Sequence, residues 1–199
     1  MIDDLLADLA TSPWALPLLF GLVLGDAFLV VIPGETAVTA FAALSVVHGE
    51  PPLAAVVAVA ALAAFTGDAA CYLVGRTIDI DRWRWARGPR TVAARGWARR
   101  RLHRSTAAIV FTARFIPFAR IVVNLTAGAE RMRAPRYLGL CALAACAWAI
   151  YQSFVGAAVA RMLPDAPVAA VLISVGLALL FGWVLDLVLA KRIAPDAEE

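Results

Sequence analysis

Four ionisable side chains stand inside apolar runs of this chain. Asp26 and Glu35 bracket Pro33-Gly34 in Asp26-Ala-Phe-Leu-Val-Val-Ile-Pro-Gly-Glu35, and Arg114 and Arg120 bracket Pro117 in Arg114-Phe-Ile-Pro-Phe-Ala-Arg120. The two pairs have opposite sign. A guanidinium is not cheaply neutralised, and its planar fork of donors matches a phosphate, so Arg114 and Arg120 are candidate phosphate ligands. A carboxylate held between a desolvating environment and a nearby guanidinium can take up and release a proton, which makes Asp26 and Glu35 candidates for proton coupling or gating. Asp68 is a third candidate, as a proton relay or as the partner of Arg76 or Arg120. It recurs with Tyr72 and Arg76 at four-residue spacing, on one helix face. Plainer readings exist for each: snorkelling of the arginines to the interface, or static buried ion pairs. A charge at the centre of a membrane helix costs roughly 2.5–3.5 kcal/mol on the insertion scale, so intramembrane ionisable residues imply function by default.

The elements that must position these groups follow from hydropathy. With 62% hydrophobic and 17% charged residues and a mean hydropathy of +0.80, the chain is too apolar for an ordinary soluble domain. The expectation is an all-α integral membrane protein, a single membrane domain over 1–199. Residues 2 to 11 place leucines against aspartates in the pattern of a short amphipathic surface helix. From Pro13 to Val47 the run is divided at Pro33-Gly34 into arms of about 20 and 13 residues. The second is too short to cross, since a span takes roughly 20 apolar residues. A re-entrant hairpin is the preferred reading, because broken backbone at membrane depth is tolerated only where protein or a water-lined cavity satisfies it.

Leu53 to Gly75 is a full span, so residues 13–75 form a first hairpin plus span. Thr106 to Phe115 and Ile121 to Ala129 are again short arms, with a break favoured just before Pro117. With the span Tyr137 to Ala160 they make residues 105–160 a second hairpin plus span. A final span follows over 167–190. Paired interrupted segments in two halves are the pattern of an inverted repeat with a site near the bilayer midplane. Asn124 and Thr126 are expected to satisfy backbone groups freed by the second break. Pro33, Gly34, Tyr72, Arg76, Pro117, Asn124 and Gly128 are supporting residues.

Ten arginines lie between Arg76 and Arg104, opposed only by Asp79 and Asp81. Residues 76–104 therefore read as an interfacial amphipathic linker on the cytoplasmic side, broken at Gly88-Pro89, with Trp83, Trp85 and Trp97 at headgroup level. The C-terminus falls on the same side; the side of the N-terminus stays open. Nucleic acid is not an expected partner, because the basic stretch is flanked by membrane segments. Cys71, Cys141 and Cys146 fall in spans without ligand-like spacing, and His48 and His103 are the only histidines. No metal, cofactor or catalytic residue is expected, and an enzyme acting on lipid phosphates lacks a nucleophile or metal cluster. The first residues lack the basic region of a cleaved signal peptide, so the segment after Pro13 is expected to be retained.

Three ordered motifs carry a family resemblance. They are Asp26 ahead of Pro33-Gly34-Glu35; Gly67-Asp68-x-x-x-Tyr72-x-x-Gly75-Arg76; and Arg114-Phe-x-Pro-x-x-Arg120 followed by Ala127-Gly128 and Met132. The chain resembles the DedA family of bacterial membrane proteins, whose shared region is also called the SNARE-associated or VTT domain, over about residues 20 to 140. It departs from that pattern at Asp26, usually Glu, at Val31, often Pro, and at Ala113 and Phe118, commonly Gly. The resemblance implies a lipid flippase of the bacterial plasma membrane that returns undecaprenyl phosphate for cell-wall synthesis, linked to the proton gradient. It maps the acidic and basic pairs onto Asp26, Glu35, Arg114 and Arg120. The expected partners are a polyprenyl phosphate or phospholipid and protons, and a homo-oligomer is compatible with this. Within the transport class, a phosphatidylethanolamine-type flippase or scramblase and a small-solute or drug antiporter remain open; a non-transporting scaffold would have no use for the intramembrane charges. On either transport reading, Asp26, Glu35, Arg114 and Arg120 should share one cavity.

Overall fold

The computed structural model describes residues 2–28, 34–78, 88–114 and 117–162, with residues 173 and 176. Among the described residues there are seven helices and no strand: α1 (Ile2–Thr11), α2 (Ala15–Asp26), α3 (Gly34–His48), α4 (Leu53–Thr77), α5 (Pro89–Ala113), α6 (Pro117–Ala129) and α7 (Ala134–Met162). Pro33, linker residues 79–87 with Trp83 and Trp85, residues 115–116 and, apart from residues 173 and 176, the expected span over 167–190 lie outside the described residues.

Length separates two kinds of helix. At 1.5 Å per residue, α4 and α7 are about 38 and 44 Å long, enough to cross a hydrocarbon core of about 30 Å. Both are apolar enough to do so. They also expose large apolar side chains: Leu62 and Leu73 on α4, and Leu143, Ile150 and Phe154 on α7, the last 70% exposed. Rows of exposed leucine, isoleucine and phenylalanine on the longest helices suit hydrocarbon surroundings, not water. By the same measure α2, α3 and α6 are about 18, 22 and 20 Å and fall short of a crossing.

Local chemistry sets the helix ends. Pro89 opens α5 behind Gly88, and Pro117 opens α6, as a ring with fixed φ and no N–H suits a first turn. The second arm therefore starts at Pro117, four residues earlier than the sequence implied. The C-terminus of α6 is closed by Arg131 in the left-handed region (φ 52). Its N–H bonds the Gly128 carbonyl at 2.9 Å and that of Met132 the Ala127 carbonyl at 3.1 Å, a Schellman arrangement. Within the first arm α2 ends at Asp26, where i→i−3 bonds from Ala27 and Phe28 tighten the last turn; the remainder of that arm, residues 29–33, lies outside the described residues. The linker helix and the first arm of the second pair meet at Ser105, whose φ −160 and ψ 89 are not helical, so α5 consists of two helical pieces divided there. There the Thr106 hydroxyl donates back to the Leu102 carbonyl at 2.9 Å, a bond that bends helices.

The core has two main parts. One joins α2 and α3 to α4 and α7 through Leu19, Val38, Ala60 and Trp148; the other joins α5 and α6 to the same two helices through Val110, Val123, Tyr72 and Tyr137. The most extensive packing is crossed: α3 lies on α7, and α4 on α6. Glycines permit both approaches. A methyl group at Gly75 or Gly128 would strike the Leu125 or Tyr72 carbonyl across the α4–α6 contact, and one at Gly156 would strike the Thr39 carbonyl across α3–α7. The chain therefore pairs each long helix with the short arm of the opposite half.

Candidate functional site

The charged side chains singled out from sequence converge where α2, α4, α5 and α6 meet. Asp68, on α4 and 2% exposed, is the hub. Its Oδ2 accepts from Arg114 Nη1 just past the end of α5, and its Oδ1 accepts from Asn124 Nδ2 at 2.9 Å and lies 3.9 Å from Arg120 Nε. Arg120, in the first turn of α6, donates through Nη2 to Asp26 Oδ2 at 3.1 Å. Asp26 ends α2 and also accepts from the Gly34 amide. Gly34 is the first residue of α3, where free amides and the helix dipole favour an anion. A methyl group on Gly34 would come within 2.9 Å of the Asp26 Cβ, so the glycine admits the carboxylate.

These four side chains close on one another. Arg114 and Arg120 are 4% and 6% exposed, so the ion pairs are held in the protein interior. Two carboxylates face two guanidiniums, which balances the charge. Glu35, one residue into α3, stands within electrostatic reach of Asp26 and Arg120 but, among the described residues, forms no side-chain hydrogen bond or ion pair. The Arg114 guanidinium, 5.6 Å from the Trp148 ring centroid, rests against its face. Its Nε and Nη2 are buried and have no partner among the described residues.

Other sequence candidates have different roles from those expected. Arg76 does not reach Asp68. It donates to the Tyr72 hydroxyl at 2.7 Å and the Met132 carbonyl at 3.2 Å, while Tyr72 donates to that same carbonyl at 2.6 Å. Together they tie α4 to the turn after α6, and Gly128 admits the approach. Among the described residues Asn124 bonds side chains and no backbone group: it bridges Asp68 to Tyr137, whose hydroxyl donates to Asn124 Oδ1 at 2.6 Å. Thr126 Oγ1 is buried without a partner among the described residues. Tyr137 and Trp148 were not anticipated. Both lie on the buried face of α7, which repeats at Tyr137, Cys141, Ala144, Trp148 and Gln152. That three-and-four spacing of polar, aromatic and small residues was the available signal.

Among the described residues no group of three His, Cys, Asp or Glu could hold a metal. Comparison with curated proteins and with solved structures gave no match. A family model described as the VTT domain matches residues 32–158, from just after Asp26 almost to the end of α7. That span contains Glu35, Asp68, Arg114, Arg120 and Asn124, and the chain belongs to this family of membrane proteins, the DedA/SNARE-associated family.

Proposed function

We propose that this protein is a lipid flippase that carries a polyprenyl phosphate, undecaprenyl phosphate in particular, across the bacterial plasma membrane for reuse, driven by protons. The observation that carries the reading is the open side of Arg114: two buried nitrogens without partners among the described residues, on a guanidinium whose third nitrogen is fixed by Asp68. A buried charged donor left unpaired is costly, and a phosphate oxygen is a ligand that would satisfy it. Arg120, which also faces Asp68, supplies the second fork.

Charge balance supports the coupling. A phosphate monoester brings a charge of about −1.5 to −2, and entering a neutral, desolvated cluster it would leave an excess of negative charge. Protonation of Asp26, Glu35 or Asp68 removes one unit of that excess, and at Asp26 or Asp68 it also frees an arginine from its present partner. Glu35 suits the first step, being near Arg120 yet unbonded among the described residues. The short pairs α2–α3 and α5–α6 act in this reading as opposed re-entrant hairpins of an inverted repeat, in one membrane domain, with residues 76–104 and the C-terminus cytoplasmic.

The test is flipping of a fluorescent polyprenyl phosphate in proteoliposomes of the full chain. A pH gradient should accelerate it, Arg114→Lys and Arg120→Lys should abolish most of it, and Glu35→Gln should remove the gradient dependence. Equal rates with and without the gradient would make the protein an uncoupled scramblase. Full transport by both lysine variants would refute the forked phosphate clamp, and movement of a phosphatidylethanolamine probe alone would replace the substrate.

A further inference from the structure

The kink of α5 opens a second basic site away from the buried cluster. A cavity of about 540 Å³ lies between the kink and the start of α7, bounded by Arg104, Ser105 and Thr106 on one side and Arg136, Leu140 and Leu143 on the other. Arg104 and Arg136 have no carboxylate partner among the described residues. Glu130 is engaged elsewhere, 3.2 Å from Arg99 and 3.7 Å from His103. Two guanidiniums, one from each side, and the Ser105 hydroxyl thus line one cavity, a donor set suited to phosphate oxygens.

Beyond Arg136 the α7 side of the cavity is apolar and leads outward. Leu143 is 62% exposed, and Ile150 and Phe154 continue from it at intervals of seven and four residues, on one face of α7. A free anion would have no use for such a stripe. An acyl chain would lie along it while its headgroup sat between Arg104 and Arg136.

We propose that this cavity binds the phosphate headgroup of an anionic membrane lipid, with its acyl chain along Leu143, Ile150 and Phe154. The site is distinct from Arg114 and Arg120, and does not depend on the transport reading: a chain that flipped nothing would still bind lipid here.

The full chain in phosphatidylcholine nanodiscs is titrated with a short-chain phosphatidate bearing a diazirine beside its phosphate, and crosslinked residues are mapped. Saturable labelling is expected around residues 139–143. Arg104→Gln with Arg136→Gln should weaken it by at least about ten-fold, the loss of one charge-assisted hydrogen bond or more, while lysine at both positions should retain an intermediate affinity. These side chains are exposed, so the folded chain should persist, and an unchanged melting temperature is the check. Labelling unaffected by the glutamine pair, or concentrated on residues 114–124, would overturn the site. Equal displacement by inorganic phosphate would overturn the lipid assignment in favour of a free anion.

Discussion

Asp68→Asn tests the buried cluster most directly. The substitution keeps the shape of the side chain and leaves an oxygen that can still accept from Asn124, but it removes the charge that holds Arg114. The Arg114 side chain is 2% exposed, and no other carboxylate is bonded to it among the described residues. Removing one partner of a buried ion pair typically costs about 3–5 kcal/mol, because the other charge is left uncompensated. At about 2–4 °C per kcal/mol for a chain of this size, the melting temperature should fall by about 6–20 °C. A thiol-reactive dye offers the assay: Cys71 and Cys141 are buried and become reactive on unfolding, whereas exposed Cys146 sets the baseline. Arg114→Gln added to Asp68→Asn removes both charges and should recover at least about 2 kcal/mol of the summed single losses, as groups in direct contact couple by up to about 3 kcal/mol. A single variant within about 1 kcal/mol of the parent, or a double variant equal to the sum of its singles, would refute the claim that Asp68 and Arg114 form one energetic unit.

Three further outcomes follow from the geometry. Gly128→Ala and Gly75→Ala each press a methyl group on a backbone carbonyl across the α4–α6 contact; they should cost about 1–3 kcal/mol or more, read in the same melting assay. Gly21→Ala, on α2 with nothing within 4 Å of the added atom, should instead stabilise by about 0.4–1 kcal/mol. Tyr137→Phe deletes the 2.6 Å bond to Asn124 and should cost about 1–3 kcal/mol, since the buried acceptor keeps only the weak Cys141 thiol donor at 3.9 Å. The same variant should slow flipping in proteoliposomes, because Asn124 in turn orients Asp68.

Much of the architecture is written in residue types. The amphipathic pattern of Ile2–Thr11 and the uninterrupted apolar length of α4 and α7 each follow from a one-dimensional period, which is why their positions were legible. The members of the cluster were legible because charge inside an apolar run is conspicuous wherever it sits. Their pairing was not. Asp68 shares a face with Arg76, yet Arg76 is drawn to the Met132 carbonyl, and the hydrogen bond that decides this crosses 56 residues of chain. Tyr137 and Trp148 stayed hidden for a different reason: aromatic residues in a membrane helix read alike whether they face lipid or protein, until a buried partner fixes them. The early end of α2 likewise depends on contacts outside its own segment, since Gly67 receives Ala27 just beyond Asp26.

The crossed packing has a consequence for how such a chain could have arisen and how it must be made. Helices α2 to α4 alone would leave the small-residue face of α3 at Thr39 and Ala42 without the glycine of α7 that fits it, and α5 to α7 alone would lack the groove at Gly75 that receives Leu125. Neither half buries these faces by itself. A one-half ancestor could have buried these faces only by exchanging arms with a second copy, as in a domain-swapped dimer, and fusion of two such copies would make that exchange permanent. Accordingly, residues 1–78 and 88–199 produced as separate chains should be degraded when made singly and should persist when made together.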